Sequence, residues 1–137
     1  MWQMIWPLLL IIFSNTFYNI ATKSIPNDLD AFGTLIITYI AGGIVALILF
    51  FARSGSLNFT GNFNPASVVL GFAIVGLEAG YVYLFRAGWE ISKGSLVANA
   101  GLAIVLIIIG KFFYHENISL KQLAGISICL SGLYLIK

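Results

Sequence analysis

The sequence predicts an all-α integral membrane protein, built as a bundle of five transmembrane helices. Of its 137 residues, 60% are apolar and only 9% are charged, and the mean hydropathy is +0.99. Soluble domains contain about 45–50% apolar and about 25% charged residues, so this composition lies outside their range. Five apolar runs approach the roughly 20 residues that a helix needs to cross a bilayer. The predicted spans are residues 4–22, 31–52, 65–87, 94–113 and 119–136.

Local signals mark the ends of the first three spans. Pro7 falls in the first turn of the first helix, where its missing N–H removes no helical hydrogen bond. The turn-forming residues 26–30 precede the second helix. Asn64 predicts an N-cap for the third helix, and Pro65 occupies its first position. The connection at residues 53–64 is long and is predicted to be a mobile or interfacial loop.

The last two spans also carry end signals. Residues 102–109 of the fourth span are its most apolar stretch, and Glu90 and Lys93 are predicted to lie in the loop before it. The fifth span opens with Ser-Leu-Lys-Gln at residues 119–122, which is a capping-box pattern.

Several function classes are excluded by composition. Seven Lys and Arg residues against five Asp and Glu residues are too few to form the basic patch of a nucleic-acid binder. With one histidine, His115, and one cysteine, Cys129, the chain has no candidate metal site and no intrachain disulfide. Neither residue lies beside a nucleophile–base pair, so we expect no enzyme activity, no metal and no cofactor.

Polar residues at membrane depth are the candidate functional residues. Glu78 is the one carboxylate near the middle of a predicted span. A charge at this depth costs roughly 2.5–3.5 kcal/mol on insertion scales, so we expect Glu78 to bind a proton or a cationic substrate. The alternative is a protonated carboxyl in a helix contact.

Helical spacing adds other polar side chains to this candidate. Asn15 and Asn19 are four residues apart on the first span, as are Ser95 and Asn99 on the fourth, and Tyr81 lies one turn beyond the glutamate. If these faces meet, they line a small polar cavity around the carboxyl. Each amide or hydroxyl also fits an ordinary hydrogen bond between helices.

The positive charges barely favour one orientation. With five spans, the side of the N-terminus carries three Lys or Arg residues and the other side carries four, and an excess of such residues normally marks the cytoplasmic side. The three are Arg53, Lys111 and Lys121, and the four are Lys23, Arg86, Lys93 and Lys137. Either other factors set the topology, or the chain inserts in both orientations and pairs antiparallel.

The C-terminal third resembles a known family. The string from Gly110 to Gly132 places a glutamate, a serine, a glutamine and a glycine in order across the loop and the start of the last helix. This is similar to the closing signature of EamA-type domains in the drug/metabolite transporter superfamily. The segment from Gly88 to Ala98 is similar to the family's link between the third and fourth helices, and one EamA repeat has five helices, as predicted here.

The resemblance implies a homodimer. Familiar members carry two such repeats in inverted orientation, whereas this chain has one, so a second copy in antiparallel orientation is implied. The small multidrug resistance proteins, four-helix relatives, work as antiparallel pairs and carry an essential proton-coupling glutamate on their first helix. Asn15 stands at that place here, which leaves Glu78 as the candidate to replace it. Ala100 and Gly101 occupy the region of the fourth helix where many members have proline.

These observations together predict a small secondary transporter in the inner (plasma) membrane of a prokaryote. Two copies in the lipid bilayer would expose a midplane polar cavity to each side in turn and carry a small-molecule substrate. The alternatives are a non-transporting membrane subunit of a larger complex and a flippase for a lipid-linked sugar.

Overall fold

The structure, a computed structural model, describes residues 2–135, apart from the side chains of residues 2, 4 and 133. Five α-helices follow one another along the chain, and a short 3₁₀ turn at Thr60–Asn62 interrupts the connection between the second and third. The helices are α1 (Trp2–Lys23), α2 (Ala31–Ser54), α3 (Pro65–Arg86), α4 (Ile91–Phe113) and α5 (Leu120–Leu135).

The predicted all-α membrane fold is confirmed. The residues described contain no strand, and four of the helices, α1 to α4, are long and apolar enough to cross a membrane. The fifth helix has 16 described residues, which span about 24 Å. A bilayer core is about 30 Å thick, so the fifth span stays a prediction.

One predicted helix boundary is wrong. The fourth helix begins at Ile91, three residues before the predicted start, because the main-chain N–H of Gly94 donates to the carbonyl of Glu90 at 2.8 Å. Lys93 therefore lies in the first turn of α4 and not in a loop. Its ammonium group is 3.1 Å from the Glu90 carboxylate, an exposed ion pair across one helical turn.

The chain forms two compact units, Met1–Ala87 and Gly88–Lys137. The single EamA-like domain predicted for residues 1–137 stays a prediction. In the first unit α3 packs against both α1 and α2, and in the second α4 packs against α5. The buried apolar core described lies in the first unit, where Ala31 and Leu35 of α2 and Ala79, Val82 and Phe85 of α3 are less than a tenth exposed.

Side-chain caps start three of the helices. The Asp30 carboxylate accepts from the Gly33 N–H at 2.7 Å at the start of α2. The predicted cap of α3 is confirmed, because the Asn64 side chain accepts from the Ala66 N–H at 2.9 Å. The predicted capping box of α5 is also present: Ser119 and Gln122 exchange hydrogen bonds of 2.8 and 3.2 Å between side chain and main chain.

The connection between α4 and α5 folds back over the end of α4. His115 adopts a positive φ of 51°, which reverses the chain. The N–H of Glu116 then donates to the carbonyl of Gly110 at 3.0 Å. Gly110 is buried, and a Cβ atom built on it would stand 2.6 Å from Glu116 Oε2. The absence of a side chain at Gly110 therefore leaves room for the Glu116 carboxylate.

Candidate functional site

Glu78 lies on the central helix of the first unit. It is the fourteenth of the 22 residues of α3, well inside the apolar segment, and its side chain is half-buried. Its Oε2 atom is buried and makes no hydrogen bond within the described part of the chain. This oxygen atom is therefore an unused acceptor, available to a polar or positively charged partner.

Three tyrosines, one from each helix of the first unit, lie near this carboxylate. Tyr81 lies one turn beyond Glu78 on α3. The ring of Tyr18 on α1 packs edge-on against the Tyr81 ring, with the ring centroids 5.6 Å apart and the ring planes at 85°. Tyr18 interacts electrostatically with Glu78, Tyr81 and Tyr39 of α2. We call Glu78, Tyr18, Tyr39 and Tyr81 the Glu78 cluster.

Two hydroxyl groups of the Glu78 cluster, those of Tyr18 and Tyr39, have unused hydrogen-bonding capacity. The Tyr39 hydroxyl interacts electrostatically with the Glu78 carboxylate, although the two groups lack the geometry of a hydrogen bond. The hydroxyls of Tyr18 and Tyr39 are buried and have no hydrogen-bond partner among the described residues. A buried polar group left in this state costs roughly 1–3 kcal/mol, which favours an arrangement in which these atoms bind a further polar partner.

The predicted asparagines of α1 share the helix face of Tyr18. Asn19 is only 6% exposed, and its Nδ2 donates to both the main-chain oxygen and the side-chain oxygen of Asn15, at 2.8 and 2.9 Å. Thr22, at 9% exposed, donates to the Tyr18 carbonyl at 2.8 Å. The polar face of α1 thus makes hydrogen bonds within the helix beside Tyr18, whose ring contacts Tyr81 of α3.

The two predicted residues of α4 lie in the second unit. Asn99 donates from Nδ2 to the carbonyl of Ser95 at 2.8 Å, and the Asn99 side chain is exposed while Ser95 is half-buried. That these two residues line the same cavity as Glu78 stays a prediction.

Many other membrane-depth hydroxyls hydrogen-bond to their own helix. The hydroxyls of Thr16, Thr38, Ser127 and Ser131 each donate to the carbonyl four residues earlier, at 2.8 to 3.0 Å. Such bonds satisfy a hydroxyl in an apolar environment without any contact to another helix. The Glu78 cluster is distinguished from them by buried polar atoms that have no such bond.

Tyr18 and Tyr39 are absent from the site residues predicted from sequence. A signal for Tyr18 exists, because it lies three residues after Asn15 on the same face of α1. Tyr39 lies four residues after Leu35, which itself lies four after Ala31, and both of those are buried. The spacing identifies the face of α2 that packs inward, but a single sequence does not say which residues of α3 it meets.

The chemistry of the Glu78 cluster is that of one carboxylate among phenols. Within the described residues, no group of three or more His, Cys, Asp or Glu side chains is placed to hold a metal ion. Aromatic faces attract cations, and a carboxylate neutralises them. The cluster can therefore take up a proton or an organic cation.

Comparison with known proteins identifies the family. The model of the EamA-like transporter family matches residues 2–137. No curated protein and no solved structure matches the chain. Members of the matched family are transporters of the drug/metabolite type rather than enzymes. With its four long apolar helices, the chain is an integral multi-pass membrane protein, and it belongs to the EamA-like transporter family.

Proposed function

We propose that two copies of this chain form a secondary transporter in which Glu78 binds a proton and a cationic substrate alternately. The observation that supports this most strongly is a half-buried carboxylate well inside an apolar helix, beside tyrosines from all three helices of the first unit. Oε2 has no hydrogen-bond partner among the described residues, and an ionisable group at membrane depth is a functional candidate by default.

Competition between the proton and the cation for one carboxylate couples proton transport to cation transport. Because the bilayer interior disfavours an isolated charge, the carboxylate is most stable when a proton or a cation neutralises it. Binding of the cation then requires release of the proton from the carboxylate. Release of the cation allows the carboxylate to bind a proton again. The tyrosine rings hold the cation by their faces, and the hydroxyls of Tyr18 and Tyr39 supply polar contacts beside the carboxylate.

A second copy supplies the other half of the transporter. Transporters of this architecture place their substrate site between two inverted repeats and rock one repeat against the other. The five helices fit one such repeat, and the nearly balanced Lys and Arg residues, three against four, are compatible with both insertion orientations. In this arrangement Asn15, Asn19, Ser95 and Asn99 would line the cavity beside Glu78, and alternating access would expose it to each side.

The proposed location is the inner membrane of a prokaryote, and the substrate is a small organic cation. The alternative functions are a flippase for a lipid-linked sugar and a non-transporting subunit of a larger complex, and the orientation experiment below addresses the second.

Glu78→Gln removes the charge with almost no change in size. We expect proton-driven uptake of tetraphenylphosphonium and related hydrophobic cations into liposomes to fall by about tenfold or more, since a charge-assisted contact is worth roughly 1.5–3 kcal/mol. The control is Glu90→Gln, which alters an exposed carboxylate paired with Lys93 and should leave uptake unchanged. Uptake by Glu78→Gln with the wild-type rate and pH dependence would refute the assignment.

Tyr39→Phe removes only the hydroxyl beside Glu78. We expect the apparent affinity for the cation to weaken by about two- to tenfold, as the loss of one hydrogen-bonding group implies. Tyr83→Phe is the matched control, because Tyr83 is 51% exposed on α3 and lies outside the Glu78 cluster. Equal effects of the two changes on cation binding, measured by isothermal titration calorimetry, would place the hydroxyl outside the site.

Antiparallel pairing predicts two orientations of the same chain. A cysteine-reactive or protease-cleavable tag after the C-terminus should be accessible from both sides of the membrane in comparable amounts. Adding one Lys to a loop on either side should shift that ratio strongly, because the existing charges nearly cancel. Labelling from one side alone would rule out the antiparallel homodimer and favour a subunit role.

A further inference from the structure

The second unit contains a cavity of its own, between α4 and α5. Its volume is about 390 Å³, within the range of about 300–1,000 Å³ that is typical of small-molecule pockets. The lining residues of α4 lie at positions 100, 103, 104 and 107, and those of α5 at positions 122, 125, 126, 129 and 130. Each spacing defines one face of a helix, so the cavity runs lengthwise between the two helices. We call it the α4–α5 groove.

Small residues leave the space that forms the groove. Ala100 and Ala103 of α4 and Gly125 and Cys129 of α5 line it with little side-chain volume, and isoleucines and a leucine form most of its other walls. Gly125 and Cys129 are exposed, so the groove opens on the protein surface. In hydrocarbon, an apolar chain that enters such a space gains dispersion contacts with its walls.

One end of the groove is polar and acidic. Glu116 and Asn117 of the connection between the helices and Gln122 of the first turn of α5 line this end. The Glu116 carboxylate is exposed and lies over the last turn of α4, and no described cation forms an ion pair with it. Lys111 and Lys121 are near this end in sequence but do not line the groove. A ligand with a positively charged, hydrogen-bond-donating head would complement it.

The polar and apolar parts of the groove follow the depth profile of a membrane. Ile107 and Ala100 lie about 9 and 20 Å along the axis before Phe113, where α4 ends. Because α4 is long and apolar enough to cross a bilayer, its end lies near the lipid headgroups, and the groove extends from there into the hydrocarbon. A lipid presents its polar head and its acyl chain in the same order.

We propose that the α4–α5 groove binds a membrane lipid with a primary ammonium head, of the phosphatidylethanolamine type. One acyl chain occupies the apolar length of the groove. The ammonium group donates to the Glu116 carboxylate, and the side-chain oxygen of Asn117 is a second acceptor. The quaternary ammonium of a choline lipid has no N–H to donate, so that lipid binds less tightly. The proposal depends neither on Glu78 nor on transport.

The test measures lipid binding to the full-length protein in a neutral detergent by native mass spectrometry, with lipids that share the same acyl chains. Phosphatidylethanolamine should bind about fivefold more tightly than phosphatidylcholine, and Glu116→Gln should abolish this preference, because it removes the charge with almost no change in size. Glu90→Gln is the matched control, because Glu90 is an exposed carboxylate of the second unit that does not line the groove. The control should keep the preference.

Filling the groove tests the position of the acyl chain. Ala103→Leu places a larger side chain in the groove and should weaken the binding of both lipids by about threefold or more. Ala98→Leu is the matched control, because Ala98 is exposed on α4 and does not line the groove. If Ala103→Leu loses its helical circular dichroism, the comparison of Glu116→Gln with Glu90→Gln decides alone.

Cys129 reports whether the groove is occupied, because it is the one cysteine of the chain and lines the groove. Added phosphatidylethanolamine should slow its modification by N-ethylmaleimide. Protection that rises with protein concentration and ignores added lipid would assign the groove to a second copy, and equal protection by tetraphenylphosphonium would assign it to an organic cation. Either result would overturn the proposal, as would tighter binding of phosphatidylglycerol or equal losses in Glu116→Gln and Glu90→Gln.

Discussion

The constraint on which the first unit depends is the cost of placing a carboxylate in hydrocarbon. A charged group at that depth costs roughly 2.5–3.5 kcal/mol, and nothing in an isolated α3 would compensate for it. The structure places phenolic groups of all three helices beside Glu78, so that the acid lies where α1, α2 and α3 meet. The same arrangement underlies the proposed function, because a proton or a cation would neutralise the carboxylate.

The buried core of the first unit and the proposed binding residue therefore lie on the same helix, α3. The buried residues Ala79, Val82 and Phe85 recur every three residues along α3, and Glu78 and Tyr81 lie beside them in the chain. This packing is what brings α1 and α2 against α3, and so it fixes where their tyrosines lie. Most other large apolar side chains remain exposed, as expected for surfaces that face lipid or a second copy.

Sequence reasoning succeeded where the signal is local. Apolar run length predicts the helices, Asn64 and the Ser119–Gln122 pair predict their own caps, and the rarity of charge singles out Glu78. It failed at Ile91, where a main-chain turn at Glu90 starts α4 early. It also missed Tyr18 and Tyr39. Tyrosine is common in membrane helices, and whether a tyrosine lies near Glu78 depends on which helix faces pack together. Gly110 and Glu116 belong to the segment that resembles EamA-type domains, and their pairing has a local physical reason. The Glu116 carboxylate packs over Gly110, which has no side chain to block it.

The central claim is that the membrane-embedded carboxylate faces a polar cavity rather than lipid. Water access at position 78 tests this most directly. In a Cys129→Ala background, Glu78→Cys and Leu77→Cys place a thiol at nearly the same depth on α3, and Leu77 is 53% exposed and lies outside the Glu78 cluster. A charged, membrane-impermeant thiosulfonate should modify position 78 faster than position 77, and a bound organic cation should slow that reaction. Modification of position 77 at an equal or greater rate would contradict the account.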